Sequence, residues 1–377
     1  MEGRAATGGR ARPASRPDGG RGAGARALAR IVVAGGGVVG ASIAYHLGLR
    51  GARDVVLAEA GSIASGASGK ALGGVRQQFS SAPEVRLARE SVAFFHGLGR
   101  DLFEPVGYLF LATSDGGRAE LEERLAVQSA LGVPVERFDP SRVEGLAVDD
   151  VLAAVFCAED GIADPGAITH ELARRAASLG VDVREGVDAL ELDADTLVLA
   201  TGASSAALAA KLGVDLPLRP LVRQLVETAP VRGLPAGLPL TIESESGFHF
   251  RRRGGALVLA MPEPVPRWGS DEVVDDGLVQ DWLGRIARRY PRAAGVPVAR
   301  AWAGVYDMTP DAHPIIGPVA DGVYAACGFS GHGFMQAPAV GRIVADELLD
   351  GGADFDISPY RLRRFEGGAV FPETAIL

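Results

Sequence analysis

The first ordered pattern in the chain is a succession of three apolar segments. Ile31–Ala34 is a short continuous apolar run, and residues 40–49 place Ile43 and Leu47 on one side of a helix. Val55–Glu59 is a second continuous apolar run. Because the two runs are joined by a helix rather than by a short turn, the pattern predicts parallel strands with a right-handed crossover.

Two kinds of segment alternate along the rest of the chain. Residues 216–302 contain stretches in which apolar and polar residues alternate, as in half-buried antiparallel strands. Residues 168–180 and 195–202 instead repeat the helix and buried strand of the first region. The sequence therefore predicts an α/β domain that is interrupted twice by a second domain with an antiparallel β-sheet. The predicted segments of the first domain are residues 31–95, 151–215 and 305–367, and those of the second are residues 96–150 and 216–304.

The composition is that of a globular protein long enough for two domains, with 47% hydrophobic and 23% charged residues in 377. Residues 1–30 are rich in arginine, glycine and proline and lack the apolar core of a signal peptide, so we expect a disordered leader. The net charge of -9 argues against nucleic acid or an anionic membrane as a partner. No apolar run is long enough to span a membrane.

Cysteine and histidine usage narrows the chemistry further. Cys157 and Cys327 are too few and too isolated for a disulfide framework, which indicates a reducing compartment such as the cytoplasm. The six histidines show no spacing typical of metal ligands, so we expect no metal site.

The first strand leads into its helix through GGGVVG, where Gly35, Gly37 and Gly40 fit the spacing GxGxxG. In this motif the first glycine makes the turn, the second lets backbone approach a pyrophosphate, and the third lets helix and strand pack closely. Glu59, at the end of the second strand, is placed to accept hydrogen bonds from a ribose. Strand, turn, helix and acid together predict a Rossmann-type dinucleotide-binding domain.

A second glycine-rich turn, GFSGHGFMQAPAVG, occupies residues 328–341. The helical pattern after it ends at Gly351, and Pro338 suits the first turn of that helix. A helix N-terminus stabilises negative charge on a bound group. The segment GFSGH also resembles the nucleophile elbow of a hydrolase, but that motif requires G-x-S-x-G and His332 occupies the last glycine position.

Five segments follow one another along the chain: EAGSIASGASGKALGGVRQQFS, EDGIADPGAITHEL, LVLATGAS, WAGVYDMTPDAHPIIGP and GFSGHGFMQAPAVGRIVADEL. In this order they resemble the FAD-dependent amine and amino acid oxidoreductases related to D-amino acid oxidase. The resemblance covers residues 31–367 and is greatest to members similar to sarcosine oxidase β-subunit, proline dehydrogenase β-subunit and glycine oxidase. It implies an FAD-binding domain and a substrate domain, and FAD-dependent oxidation of a secondary amine or amino acid, such as sarcosine or proline, to an imine.

The resemblance also implies where a non-covalently bound FAD would contact this chain. The ribose would lie at the end of the second strand, the pyrophosphate at residues 65–68, and the isoalloxazine ring at residues 331–335. The predicted cofactor contacts are Gly35, Gly37, Val38, Val39, Gly40, Glu59, Ser65, Ser68, Val187, Thr201, Gly202, Gly331, His332, Gly333, Phe334 and Met335.

The chain departs from its relatives near the implied flavin ring. Gly304 stands where monomeric sarcosine oxidases have the cysteine that attaches the flavin, so a covalent link at that position is excluded. Met335 stands where those enzymes have a lysine for the substrate carboxylate, and Tyr306 where glycine oxidases have an arginine. Residues 187–196 are also too few for the β-hairpin that relatives carry there.

A substrate carboxylate in a desolvated site still requires a cationic partner. Arg76, Arg223 and Arg251 are the candidates, and we choose Arg76 because it follows the implied pyrophosphate loop. Tyr306 is expected to donate one hydrogen bond in the site. His332 is a candidate acid or base, and a structural hydrogen bond in the flavin turn is the alternative.

Sarcosine oxidases use a lysine near the flavin to promote reaction with oxygen, in the strand that corresponds to GALVLAMP. Lys70 and Lys211 are the two lysines of the chain and lie elsewhere in the sequence, which favours a dehydrogenase with an unknown electron acceptor over an oxidase. Two other functions stay open, a D-amino acid or glycine oxidase and a non-catalytic, assembly-type flavoprotein. A homo- or hetero-oligomer is equally compatible with the sequence.

Overall fold

The structure is a computed structural model that describes residues 30–367, so all of the predicted leader except Arg30 lies outside the described residues. The described chain contains eight helices: α1 (Val38–Leu49), α2 (Ala67–Lys70), α3 (Ala82–Gly97), α4 (Asp115–Ala130), α5 (Pro165–Ser178), α6 (Ser205–Lys211), α7 (Asp276–Arg289) and α8 (Gly333–Asp350). Its strands are β1 (Ile31–Ala34), β2 (Val55–Glu59), β3 (Gly74–Val75), β4 (Phe103–Glu104), β5 (Tyr108–Ala112), β6 (Val135–Arg137), β7 (Ala153–Cys157), β8 (Gly161–Ala163), β9 (Asp182–Glu185), β10 (Thr196–Leu199), β11 (Arg219–Thr228), β12 (Leu240–Glu243), β13 (His249–Arg253), β14 (Ala256–Ala260), β15 (Arg267–Trp268), β16 (Val298–Met308), β17 (Ile315–Ala320) and β18 (Val323–Cys327).

The first sheet has six strands in the order β17-β18-β10-β1-β2-β9. Five of them run parallel, and β17 pairs antiparallel with β18 at one edge. The parallel pairing of β1 with β2 confirms the arrangement predicted from the apolar pattern. Both strands have their predicted bounds, and α1 begins two residues earlier than predicted, at Val38.

Helix α1 packs on this sheet with almost every residue buried. Gly40 permits the close approach, since a Cβ atom there would lie 1.9 Å from the carbonyl oxygen of Gly35. Gly35 has a φ of +108°, a conformation that favours glycine. Backbone geometry therefore requires glycine at both positions, as the motif predicts.

The second sheet has nine strands and is mostly antiparallel, in the order β15-β11-β14-β13-β12-β5-β7-β6 with β16 beside β11. Strand β7 pairs with β5 along its whole length, so residues 153–157 belong to this sheet rather than to the FAD-binding segment predicted at 151–215. Strand β16 stays paired with β11 as far as Met308, past the predicted boundary at residue 304. Long-range backbone pairing sets both boundaries, and the local sequence pattern does not specify it. Strands β3, β8 and β4 form a third, small sheet.

Helix α8 begins earlier than predicted, at Gly333, and Pro338 is its sixth residue rather than part of its first turn. Proline has no N–H to donate within a helix. Ser91 of α3 bonds to the α8 backbone on both sides of Pro338. Its hydroxyl donates to the Gln336 carbonyl and accepts from the Ala339 N–H, both at 3.2 Å. The neighbouring helix thus supports α8 where proline interrupts its hydrogen bonding.

Two other local predictions are confirmed. Helix α8 ends at Asp350 and is capped by the predicted Gly351, which has a φ of +78°. Between β9 and β10 the chain forms a single 3-10 turn, Ala189–Glu191, in place of the β-hairpin expected in relatives. None of the helices within residues 30–367 is long and apolar enough to cross a membrane.

Candidate functional site

Both large sheets contribute walls to a cavity of about 670 Å³. One wall includes Ala34 and Ala58, at the carboxyl ends of β1 and β2, and Thr201, just after β10. The other wall includes Arg223 of β11 and Tyr306 of β16. In parallel α/β sheets ligands bind beyond the carboxyl ends of the strands, and a cavity of this size is typical of a cofactor site.

The turn from β1 into α1 leaves space for a ligand at its second glycine. Gly37 is the N-cap of α1 with φ -74° and ψ 176°, an extended conformation open to any residue. Its side-chain position faces the cavity, where a Cβ would meet only the Ser68 hydroxyl at 3.3 Å. That hydroxyl accepts from the Val38 N–H at 2.9 Å and holds the following loop against the helix N-terminus. The glycine therefore provides space at an anion-binding helix terminus rather than an unusual backbone angle.

Glu59 is held in the cavity wall by two backbone groups. Its Oε2 accepts from the Gly36 N–H at 2.6 Å, and its Oε1 accepts from the Gly61 N–H at 2.8 Å. These bonds fix the carboxylate between the glycine turn and the loop after β2. The position is the one a ribose-binding acid occupies in a dinucleotide site.

Most of the predicted cofactor contacts lie around this single cavity. The residues that line it are Gly35, Gly37, Val38, Val39, Glu59, Ser65, Ser68, Val187, Thr201, Gly202, Gly331, Gly333 and Phe334. Gly40, His332 and Met335 do not line it. Gly40 packs against Gly35, and the His332 ring lies edge-on to Phe79 with 5.1 Å between ring centroids.

Asp307 joins the second glycine turn to the large antiparallel sheet. The residue lies in β16, lines the cavity, and accepts from the Gly328 N–H at 2.6 Å through Oδ2. Burial raises the pKa of this carboxyl, and hydrogen bonds from the turn act in the opposite direction. Tyr306, beside it, packs on Gly331, where a Cβ would lie 2.4 Å from the tyrosine ring. Sequence reasoning missed Asp307, because nothing local distinguishes it from a surface carboxylate.

Arg223 lines the opposite wall of the cavity and has unpaired N–H groups. Its Nε and Nη1 atoms are buried, and neither has a hydrogen-bond partner within residues 30–367. Arg223 pairs in register with Gly304, and Tyr306 follows two positions later in β16, so all three face the same side of the sheet. The guanidinium carbon lies 5.9 Å from the centroid of the Tyr306 ring. A partly buried cation with unpaired donors is suited to an anionic ligand group.

The other two predicted arginines are engaged elsewhere and do not line the cavity. Arg76 is fully buried, donates to the Gln78 carbonyl, and stacks on Phe79 with 4.1 Å from the guanidinium carbon to the ring centroid. Arg251 donates to the carbonyls of Leu72 at 2.6 Å, Arg252 at 3.0 Å and Ala163 at 3.5 Å. The choice of Arg76 as carboxylate anchor stays a prediction, and the geometry favours Arg223.

His249, at the start of β13, is a cavity residue that sequence reasoning missed. Its Nδ1 lies 2.7 Å from the Gly247 carbonyl oxygen. Burial lowers the pKa of His249 to about 4, and the nearby charges of Arg76 and Arg223 act in the same direction. The imidazole is therefore neutral at pH 7. A histidine in an alternating strand carries no sequence signal, since its environment depends on the strands beside it.

Both lysines of the chain line the cavity as well. Lys70 lies beside Gly304, where a Cβ would be 3.3 Å from the lysine Cβ, and its ammonium pairs with Glu272. Strand β14, which corresponds to GALVLAMP, contains no lysine, as the sequence states. Lys70 reaches the cavity from α2 instead, which the sequence argument did not anticipate.

The residues present fit an FAD molecule. A cradle without side chains lies at Gly37, a helix N-terminus faces it, and an acid suited to a ribose stands beside it. Cys327 is fully buried in an apolar cluster formed with strands of the first sheet and does not line the cavity. Within residues 30–367, no cluster of histidine, cysteine and acidic residues has the arrangement of a metal site.

Known proteins resemble this chain along most of its length. 4-methylaminobutanoate oxidase (formaldehyde-forming) of Paenarthrobacter nicotinovorans is 30% identical over 378 residues, which cover 90% of this chain and 46% of that protein. The chain thus spans less than half the length of this relative. Glycine oxidase of Geobacillus kaustophilus is 28% identical over 372 residues, covering 89% of this chain and 97% of that protein.

Among solved structures, L-proline dehydrogenase from P. horikoshii matches with a TM-score of 0.85 and 28% identity, covering 91% of this chain and 99% of that one. This similarity confirms the predicted α/β fold with an antiparallel second sheet. A family described as FAD dependent oxidoreductase matches residues 30–347, which include both glycine turns and the strands between them. The chain therefore belongs to the family of FAD-dependent oxidoreductases related to D-amino acid oxidase, as the five sequence segments indicate.

Proposed function

We propose that this protein oxidises a secondary amine or amino acid that carries a carboxylate, such as sarcosine or proline, to the imine. The observation that carries the proposal is the partly buried guanidinium of Arg223, whose buried Nε and Nη1 have no partner among the described residues and which lines the cavity beside Tyr306. FAD bound at Gly37 and Glu59 would supply the acceptor for the hydride from the carbon next to nitrogen, and water would hydrolyse the resulting imine.

The similar proteins support this substrate class. The names of three of them specify 4-methylaminobutanoate, glycine and L-proline, and each of these compounds carries both an amine nitrogen and a carboxylate. A carboxylate buried in the cavity requires charged donors, which Arg223 supplies, and Tyr306 adds a hydroxyl donor. The chain's own contribution is to anchor and orient the substrate and to exclude water around it.

We further propose that the enzyme is a dehydrogenase and that it binds FAD without a covalent link. Strand β14 contains no lysine, and the Lys70 ammonium is paired with Glu272. Gly304 offers no thiol, and both cysteines are fully buried. The electron acceptor, the cytoplasmic location, the homo- or hetero-oligomeric state and the lack of nucleic acid or membrane partners stay predictions.

The first test concerns the cofactor cradle. Gly37→Val is expected to fold but to lose its FAD, because the valine side chain fills space at the helix N-terminus while the backbone angles stay allowed. Flavin absorbance per protein and far-UV circular dichroism measure the two effects. Gly352→Val is the matched control. Gly352 does not line the cavity, and a Cβ there would have no atom within 4 Å. A folded, fully flavinylated Gly37→Val protein would contradict the assigned cradle.

Acid precipitation tests the proposed non-covalent binding. The supernatant should contain all of the flavin, because no thiol stands at residue 304 and Cys327 lies in the apolar core. Absorbance of supernatant and redissolved pellet provides the measurement. Yellow colour retained in the pellet after denaturation would show an attachment point elsewhere.

The carboxylate anchor is tested by Arg223→Ala. Loss of one partner of a buried charge pair costs about 3 to 5 kcal/mol, which lowers kcat/KM by roughly two to four powers of ten. The loss should appear with L-proline or sarcosine and be small with pyrrolidine, which has no carboxylate. Steady-state dye reduction measures it. Arg300→Ala is the control, because Arg300 lies on the same sheet with an exposed side chain.

Arg76→Ala distinguishes the two anchor hypotheses. If the Arg223→Ala protein retains near-normal turnover of L-proline while Arg76→Ala loses it selectively, the anchor is Arg76. If neither substitution lowers turnover of L-proline more than that of pyrrolidine, the substrate is not a carboxylate.

The proposed dehydrogenase activity is tested with two acceptors. Reduced protein should transfer electrons to an artificial dye much faster than to oxygen, because the Lys70 charge is held by Glu272 rather than presented alone. Stopped-flow reoxidation with each acceptor compares the rates. Rapid, stoichiometric peroxide formation in air rules the dehydrogenase assignment out.

A further inference from the structure

His249 is a polar residue of the cavity that the proposed reaction leaves without a role. It pairs in register with Ala260 of β14, and both residues line the cavity together with Arg223 and Tyr306. Only 6% of the histidine is exposed. A histidine held this firmly beside the proposed carboxylate anchor is placed to contact the same ligand.

The hydrogen bond to Gly247 fixes which ring nitrogen carries the proton. A carbonyl oxygen can only accept, so Nδ1 at 2.7 Å must be the donor. In a neutral imidazole the other nitrogen, Nε2, is then an acceptor with a free lone pair. Among residues 30–367, no side chain or backbone group forms a hydrogen bond with Nε2 of His249.

Burial, supported by the neighbouring charges, keeps His249 in this neutral, accepting form. Arg76 and Arg223 both disfavour a positive charge on the ring, and burial acts in the same direction. Arg223 offers only donors to a ligand, whereas Nε2 offers an acceptor. The two side chains therefore complement a molecule that carries an anionic group and, nearby, an N–H.

We propose that His249 Nε2 accepts a hydrogen bond from the amine N–H of the substrate, and so selects amines whose neutral nitrogen bears hydrogen. Neutral primary and secondary amines have such a donor and neutral tertiary amines have none. This inference rests on the proposed function, because the amine must lie in the cavity with its carboxylate on Arg223.

Two carboxylates of nearly equal shape test the inference without turnover. Pyrrole-2-carboxylate presents an N–H at the position where 2-furoate presents a ring oxygen. Pyrrole-2-carboxylate would donate a hydrogen bond to Nε2, whereas the ring oxygen of 2-furoate would repel the Nε2 lone pair. The difference predicts about tenfold tighter binding of pyrrole-2-carboxylate to the FAD-loaded protein. Isothermal titration calorimetry measures both dissociation constants.

Three variants assign that preference to its source. In His249→Leu the preference should fall to within about twofold, whereas His249→Gln, whose amide oxygen accepts hydrogen bonds, should retain part of it. Arg223→Ala should weaken both ligands by a similar factor and leave their ratio unchanged. Flavin content and circular dichroism verify that each variant is folded.

The outcomes separate this inference from the proposed function. A wild-type ratio near one overturns the role of His249 even if no variant folds, and a tenfold ratio that survives in His249→Leu does the same. If both ligands bind the wild type but Arg223→Ala weakens neither, Arg223 is not the carboxylate anchor. The ratio of the two dissociation constants still tests the role of His249. Failure of both ligands to bind the wild type overturns the anchor and the inference together.

Discussion

The burial of helix α1 is the constraint on which the rest of the structure depends. The helix can lie so deep only because glycine occupies its contact points. At Gly40 a Cβ would lie 1.9 Å from a carbonyl oxygen, and at Gly341 of α8 a Cβ would lie 2.3 Å from the Ser42 hydroxyl. Close packing of this kind leaves no room for even one added carbon. Since α1 follows the first glycine turn and α8 follows the second, their contact brings two distant parts of the sequence to one cavity.

A second link joins this helical core to the antiparallel sheet. Asp307 ends the cavity-facing part of β16 and holds the Gly328 N–H at the start of the second glycine turn. Its backbone carbonyl also accepts from the Ser330 N–H at 3.3 Å. A buried carboxylate is tolerated only when hydrogen bonds satisfy it. The turn that would face the flavin ring is therefore positioned by the same strand that carries Tyr306 and Gly304.

The sequence predicted best those features that depend on neighbouring residues. Bounds of β1 and β2, the glycine positions and the end of α8 at Gly351 follow from local periodicity and backbone geometry. Features that depend on long-range pairing were harder to predict. Residues 153–157 form an apolar strand whose sequence does not specify a sheet, and the structure assigns it to the second one. The environments of Arg76 and Arg223 likewise depend on which strands lie beside them.

The cavity divides into two walls with different physical origins. The wall beside α1 consists largely of glycines, small side chains and backbone N–H groups, and backbone packing at Gly35 and Gly40 fixes its geometry. The wall from the second sheet consists of side chains such as Arg223 and His249, which project from strands held by backbone hydrogen bonds. Substitution on that face alters charge and hydrogen bonding without disturbing strand pairing.

This division is compatible with the departures at Tyr306 and Met335 that the family resemblance implies for the substrate carboxylate. A cation can be supplied from any strand whose alternate residues face the cavity, provided that its charge reaches the same volume. The proposed anchor Arg223 meets that condition, since it lies two residues from Leu221, the register partner of Tyr306. Under the proposed function, substrate choice depends on the cavity-facing side of the second sheet, and FAD binding depends on the packing of α1.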